Sequence, residues 1–340
     1  MPLSKRERFY TLLSGKPVDR PIVSSWNHFT RNEHNARDLA NTTVTFAQTY
    51  DWDWIKVNPR ATYLAETWGN TYDFNDYQDV FPRQLHAAIE TAADLSQIER
   101  VNVANSEPLN EQLELLSLLK NGISDVPFVQ TLFSPLSVLS FLAGISPYEG
   151  QHLYGSTQTL TLPQLLAENP EEAKKALQNI TDTLSDYVHE IEETGTDGLF
   201  YAVTGTANPR FLPEDAFETF SRPYDLQILN QVKKGKVILH TCGDYARPEY
   251  FDQNYPFDGI SWDVVAPHNA GIERPMHHTK VGGVHHGYFT EQDGEKALAN
   301  ARAALSANSS GAFILGPDCT VPENAPSTLL HQIRQLIPDI

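Results

Sequence analysis

The chain has 340 residues, of which 40% are hydrophobic and 20% charged, and a formal net charge of −18. A chain of that size buries a large core without covalent staples, and its composition is that of an ordinary globular protein. The acidic balance argues against a nucleic-acid or anionic-membrane surface, which needs Lys and Arg in excess, and speaks against a polyanionic substrate unless positive charge is gathered locally.

The opening segment MPLSKRERFYTLLSG is charged and amphipathic, with no apolar stretch of the signal-peptide kind, and a helix is expected over 5–14. A first strand follows in PIVSSW (21–26) and a helix over 37–49, then a second strand in DWIKVN (53–58). Residues 58 to 108, rich in Asn, Asp and Pro, read as a long insertion after that strand. Beyond it come a helix over 109–120 and a strand in PFVQTLF (127–133). The helix over 170–193 is the most legible. Asn169 is placed to cap it, Pro170 suits its first turn, and Glu171 and Glu172 complement its dipole. Ala173, Leu177, Ile180, Leu184, Val188 and Ile191 fall at steps of three and four, and Gly195 ends the pattern. The strand DGLFYAV (197–203), a helix over 214–233 and the strands KVILHTC (236–242), FDGISWD (257–263) and KVGGVHH (280–286) come next. A helix over 291–306, the strand GAFILGPD (311–318) and a helix over 326–336 complete the chain.

Continuous apolar runs are what strands buried on both faces look like, and alternation with helices implies a parallel sheet with right-handed crossovers. Eight such strands predict an α/β fold: a single-domain (β/α)8 TIM barrel over 1–340, with an N-terminal helical extension and the insertion after the second strand. There is no G-x-G-x-x-G after the first strand, so no nucleotide cofactor is expected. No solenoid repeat, interdomain linker or membrane-length apolar run is present, and a cytoplasmic enzyme is the expectation.

The residues able to carry chemistry gather at strand ends. His240 and Cys242 close the fifth run, Asp263 the sixth, and Cys319 follows the eighth. In a barrel those carboxyl ends converge on one face, where active sites are built. Side chains two apart on a strand share a side, so His240 and Cys242 can reach one ion, and thiolate and imidazole are the ligands zinc prefers. Three ligands leave a position for substrate, which Asp263 could fill at rest. The competing readings are a buried thiol serving as a small hydrophobe, an Asp serving as a helix cap, and a disulfide, which a reducing cytosol disfavours. Softer candidates for the pocket wall are Trp26, Asn27 and His28 after the first run, Tyr201 and Thr204 in the fourth, and His285 or His286 after the seventh; the pair His277 and His278 reads as surface.

The order and content of these segments resemble the uroporphyrinogen decarboxylase superfamily. Its opening pattern R-x-x-x-x-L-x-G-x-x-x-D-R-x-P is met loosely by Arg8, Leu12, Gly15, Asp19, Arg20 and Pro21, and TGTDGLFYAV, ILHTCGD, FDGISWD and ILGPDC follow in the superfamily's order. The resemblance implies one of two chemistries. Metal-free decarboxylases grip porphyrinogen carboxylates with arginines after the first strand, where this chain has SSWNHFTRNEH and only Arg31. Zinc-dependent methyltransferases carry His-x-Cys and a distant Cys as ligands, matched here by His240, Cys242 and Cys319, and move a methyl group from a corrinoid protein to a thiol of the coenzyme M type. Cobalamin-independent methionine synthase is similar, with a carboxylate between the ligands, near where Asp263 falls. The methyltransferase branch is the expectation: Zn2+ in the site, a small thiol as substrate, and a corrinoid only on a partner protein, since no D-x-H-x-x-G signature is present. A decarboxylase and a non-catalytic zinc barrel are the alternatives; the sequence leaves the oligomeric state open, and a homodimer is suggested only by analogy with barrels of this kind.

Overall fold

The computed structural model describes residues 2–338. Eight parallel strands form one curled sheet: β1 (Ile22–Val23), β2 (Ile55–Val57), β5 (Phe128–Phe133), β6 (Gly198–Thr204), β7 (Lys236–Thr241), β8 (Gly259–Trp262), β9 (Thr279–Val284) and β10 (Phe313–Pro317). The two intervening strands, β3 (Thr71–Gln78) and β4 (Phe81–His86), pair antiparallel in a separate hairpin. The ladder runs β1-β10-β9-β8-β7-β6-β5-β2, so each strand of the large sheet lies beside its neighbour in sequence. The expected (β/α)8 barrel is what the chain forms.

The seam between β1 and β2 closes the cylinder with few backbone bonds. Asp53 N–H donates to Val23 O (3.0 Å), and the Ser24 hydroxyl donates to Trp54 O (2.6 Å). The Asp53 carboxylate, fully buried, accepts from Val23 N–H (2.9 Å) and takes a two-point bond from the Arg20 guanidinium (2.9 and 2.8 Å). A second two-point pair, Arg8 to Asp19 (2.6 and 2.8 Å), ties the first helix to the approach of β1. The charged residues of the opening pattern are therefore clamps at the barrel's seam and floor, far from the strand ends that carry chemistry.

The first helix, Lys5–Leu12, starts on a capping box between Ser4 and Glu7. Phe9, Leu12 and Leu13 leave it to pack with Ile22, Trp54, Val129, Ile238, Val281 and Ile314 inside the barrel. The expected N-terminal extension is thus the plug of the amino-terminal end. A larger apolar layer, including Leu132, Leu184, Tyr201 and Leu239, lies between the sheet and the outer helices.

Three expectations need correction. The helix predicted over 214–233 is two helices, Glu214–Phe220 and Arg222–Leu229, broken at Ser221 two residues before Pro223, which has no N–H to continue the ladder. Asn169 occupies the cap position of Pro170–Glu193, but its side chain makes no capping bond. The insertion is not irregular throughout: it holds the β3–β4 hairpin, whose TYDFNDYQ strand alternates polar and aromatic residues only over Thr71–Asn75 before the register shifts, too short a pattern to announce it.

Asp53→Ala removes the carboxylate from beside the buried Arg20 and opens the seam, and is expected to cost about 3–5 kcal/mol. Urea unfolding of the variant against the native chain measures it; a loss below about 1 kcal/mol would mean the seam is held elsewhere.

Candidate metal centre

The register of β7 against β8 sets His240 opposite Ser261, and the His240 Nδ1 lies 3.2 Å from the Ser261 hydroxyl. That contact fixes the ring and leaves Nε2 to face the thiols. Cys242 lies just past β7, its N–H donating to Thr204 O (3.0 Å), and Thr204 itself holds a left-handed φ of 57° at the end of β6. Cys319 arrives from the far end of the chain, two residues beyond β10. Its sulfur stands 3.4 Å from that of Cys242, too long for a disulfide. The His240, Cys242 and Cys319 donor atoms all lie within 4.8 Å of one another. An imidazole nitrogen and two sulfurs converging on one point, His240 and Cys242 buried and Cys319 half-buried, are a donor set that fits zinc. The contact with Cys242, and a further one with His240, hold Cys319 well below the usual thiol range against the push of burial, while the contact with Cys319 and burial push Cys242 well above it.

A second group sits behind the first. Asp318, fully buried, accepts from the His286 ring (2.7 Å) and the His286 N–H (2.8 Å), and lies 3.2 Å from the His285 Nδ1. These bonds hold its carboxyl well below the usual range against the upward push of burial. Burial would lower His286, yet the Asp318 contact and the nearby Cys319 raise it to about 9. Asp263 is pushed up to about 7 by burial and by repulsion from Asp318, and its Oδ1, 3.8 Å from the His285 Nδ1, is buried with no hydrogen bond among the described residues.

The sequence candidates divide sharply on placement. A cavity of about 1080 Å³ opens over the strand ends, and Trp26, His28, Thr204, His240, Cys242, Asp263, His286 and Cys319 line it. Trp26 packs on Trp54 and Phe200 at its floor, where a Cβ on Gly316 would come within 3.0 Å of the indole. Asp263 lies outside the three-donor group, and Ser261, not Asp263, orients His240; Asp263 is a cavity carboxylate beside the site. Asn27 is buried off the cavity wall. His285 turns away, and its neighbour His286 faces the space instead. His277 is exposed and His278 half-buried, and both rings contact the Asp252 carboxylate (2.9 and 2.8 Å).

Tyr201 is also displaced from its expected place. The pleat turns Phe200 inward and Tyr201 outward, where its hydroxyl donates to Asp225 (2.6 Å) beneath an outer helix. Asp225 also accepts from Ser221 (2.8 Å) and Tyr255 (3.1 Å), and burial raises it from 3.8 to about 6.

Lys56 escaped the sequence reading. It lies on β2 in the cavity wall, 8% exposed, with its ammonium 4.7 Å from the Phe200 ring centre and bonded to the Asn58 side-chain oxygen. Burial lowers it to about 7, and the charges acting against that are the Cys319 and Cys242 sulfurs. The lone cation of DWIKVN stands out by type, but only the fold shows that it shares the inward side with Trp54.

The family model described as Uroporphyrinogen decarboxylase (URO-D) matches residues 4–338. Among solved structures, the chain is similar to a methyltransferase from Methanosarcina mazei at 17% identity and a TM-score of 0.74, over 98% of this chain and 97% of that one. It is also similar to a B12-independent methionine synthase from a Shewanella species in complex with selenomethionine (11% identity, TM-score 0.52, 88% and 85% covered). A putative B12-independent methionine synthase from Listeria monocytogenes matches at 15% identity and a TM-score of 0.51 over the same shares. No curated protein matches the sequence. No helix among the described residues is long and apolar enough to cross a membrane.

Two outcomes follow from the outward face of β6. Tyr201→Phe should lower stability by about 1.5–3 kcal/mol, the range for a hydrogen bond to a charged group, while leaving metal content unchanged. Because the folded state holds the Asp225 proton more tightly than the unfolded chain, stability should fall as pH rises from 3.8 to about 6. Asp225→Asn should flatten that slope in melting curves taken across the window, and an unchanged slope would assign it to other groups.

Proposed function

The chain belongs to the uroporphyrinogen decarboxylase family, and on that premise we propose that it is a zinc-dependent methyltransferase acting on a small thiol, the methyl group coming from a methyl-corrinoid on a partner protein. The observation that carries this reading is the convergence of His240, Cys242 and Cys319 on one point in the wall of a large cavity at the strand ends. The likeness in fold to a methyltransferase and to two methionine synthases supports it. Cavity-facing arginines of the kind a polycarboxylate needs are reduced to Arg31.

Bound by these three side chains, zinc supplies a Lewis acid that lowers the pKa of a substrate thiol and leaves it nucleophilic near neutral pH. Ser261 holds the His240 ring so that Nε2 keeps its direction. Asp318, tied down by His286, fixes the backbone immediately before Cys319. The Asp263 carboxylate in the cavity wall, whose Oδ1 makes no hydrogen bond among the described residues, is the group placed to take the proton that the thiol gives up. Trp26 and Phe200 at the cavity floor keep water away from the reacting sulfur.

The native protein should carry about one zinc per chain by elemental analysis, and Cys319→Ser should carry little. In a cobalt-substituted form, added thiols should shift the visible spectrum, and methylcobalamin with a thiol should yield the thioether. An active Cys319→Ser variant, or activity untouched by chelators, would turn the reading to a metal-free decarboxylase. A four-ligand cobalt spectrum indifferent to every thiol would leave a non-catalytic zinc barrel.

A further inference from the structure

The thiolate group is not the only place at the barrel mouth where metal-capable donors meet. The register of β9 against β10 pairs Val284 with Pro317, so the residues that follow each strand, His285 and Asp318, come out side by side. One donor atom each from His285, His286 and Asp318 lies within 4.8 Å of the other two. The separations suit a common ion. Neighbouring ligands on an ion with bonds of about 2.1 Å stand about 3 Å apart. Here the His286 Nδ1 is 2.7 Å from one Asp318 oxygen, and the His285 Nδ1 is 3.2 Å from the other.

The group is held in place and still open to entry. Asp318 is fully buried and accepts from the His286 N–H (2.8 Å), while the His285 ring stands edge-on to Tyr288 with centroids 4.8 Å apart. The two His side chains keep 26% and 31% of their surface exposed, which gives an ion a way in. A second carboxylate faces the group from β8. Asp263 is 9% exposed, and its Oδ1 is buried, makes no hydrogen bond among the described residues, and lies 3.8 Å from the His285 Nδ1. It stands close enough to Asp318 for the two like charges to repel. Buried carboxylates crowded together are stabilised by a cation between them, and two imidazoles beside them supply nitrogen donors.

We propose that His285, His286 and Asp318 form a second metal site, for a first-row divalent cation, with the Asp263 carboxylate as added negative charge beside it. Its donors are nitrogen and oxygen, where the neighbouring His240–Cys242–Cys319 group offers two sulfurs. Lacking a thiolate, the site holds its ion less tightly than that group and fills when free metal is supplied. Asp318 and Cys319 are consecutive, so an ion here also braces the backbone that carries a ligand of the first group. The site does not rest on the thiol reading above.

Equilibrium dialysis tests it on the full-length protein, loaded with zinc, freed of excess, and then exposed to Zn2+ or to Mn2+. At least one of the two ions should add about one equivalent per chain in a saturable step. His285→Ala, a change off the cavity wall, should abolish that step while the first zinc and the melting temperature stay near native values. Asp263→Asn should weaken the step about tenfold or more. His277→Ala, in the His277–His278–Asp252 cluster outside the mouth, controls for ions gathered by the acidic surface and should change nothing. The absence of a second equivalent of either ion, its survival in His285→Ala, or an affinity indifferent to Asp263→Asn would overturn the site. His285, His286 and Asp318 would then be a hydrogen-bonded cluster and nothing more. Cys319→Ser separates the two readings. It strips the thiolate group, yet under dialysis it should still take up the one equivalent that His285→Ala loses. A native protein that holds one zinc and shows the cobalt shift with thiols, but takes no second ion, keeps the proposed function and loses this site.

Discussion

The fold turns on the closure of a parallel sheet at its least bonded seam. Between β1 and β2 the ladder is nearly absent, and the Asp53 carboxylate stands in for it, accepting from Val23 N–H on one side and the Arg20 guanidinium on the other. A pair of charges so deeply buried is sensitive to the loss of either member, because the survivor is left in a medium that solvates it poorly. Closure also has a geometric consequence. Only in a closed cylinder do the carboxyl ends of β7 and β10 approach across the mouth, bringing sulfurs 77 residues apart to 3.4 Å. The centre of the site thus depends on a salt bridge at the opposite level of the barrel.

Charge within the mouth is arranged in depth. The thiols of Cys242 and Cys319 and the ring of His240 meet at the front. Behind them Asp318 gathers His285 and His286, and Asp263 sits against Asp318 with one oxygen that makes no hydrogen bond among the described residues. Lys56 enters from the other wall across Phe200. Most of these groups are buried, with Cys319, His285 and His286 half-buried, so water screens only part of their mutual interaction. Burial and repulsion by Asp318 raise Asp263, and burial lowers Lys56, both to about 7, where each exchanges protons near neutrality. Such displaced groups beside a soft donor set are what a site handling thiols and protons requires. By contrast, the buried carboxyl of Asp225 lies outside the sheet among Tyr201, Ser221 and Tyr255, and its raised pKa belongs to packing.

Periodicity and residue type alone determined a good deal. Each of the eight barrel strands coincides with an apolar run read from the sequence, Thr204 and Thr279 alone lying one residue outside their runs, because strands covered on both faces need apolar residues along their length. The long helix Pro170–Glu193 was legible to its ends, since a stripe at steps of three and four has no other use. The three soft ligands were legible too, being rare residue types at strand ends, where a barrel collects its chemistry. Tertiary structure alone decided which side of each strand the remaining candidates face. A run apolar on both sides carries no phase, so nothing in DGLFYAV told Phe200 from Tyr201, and nothing in KVGGVHH told His286 from His285. It also decided that Asp263 stands beside the ligand group and not within it, and that Lys56 lies buried opposite the thiols. Those facts depend on the register of strands distant in sequence and on the closure of the sheet, which no local pattern encodes.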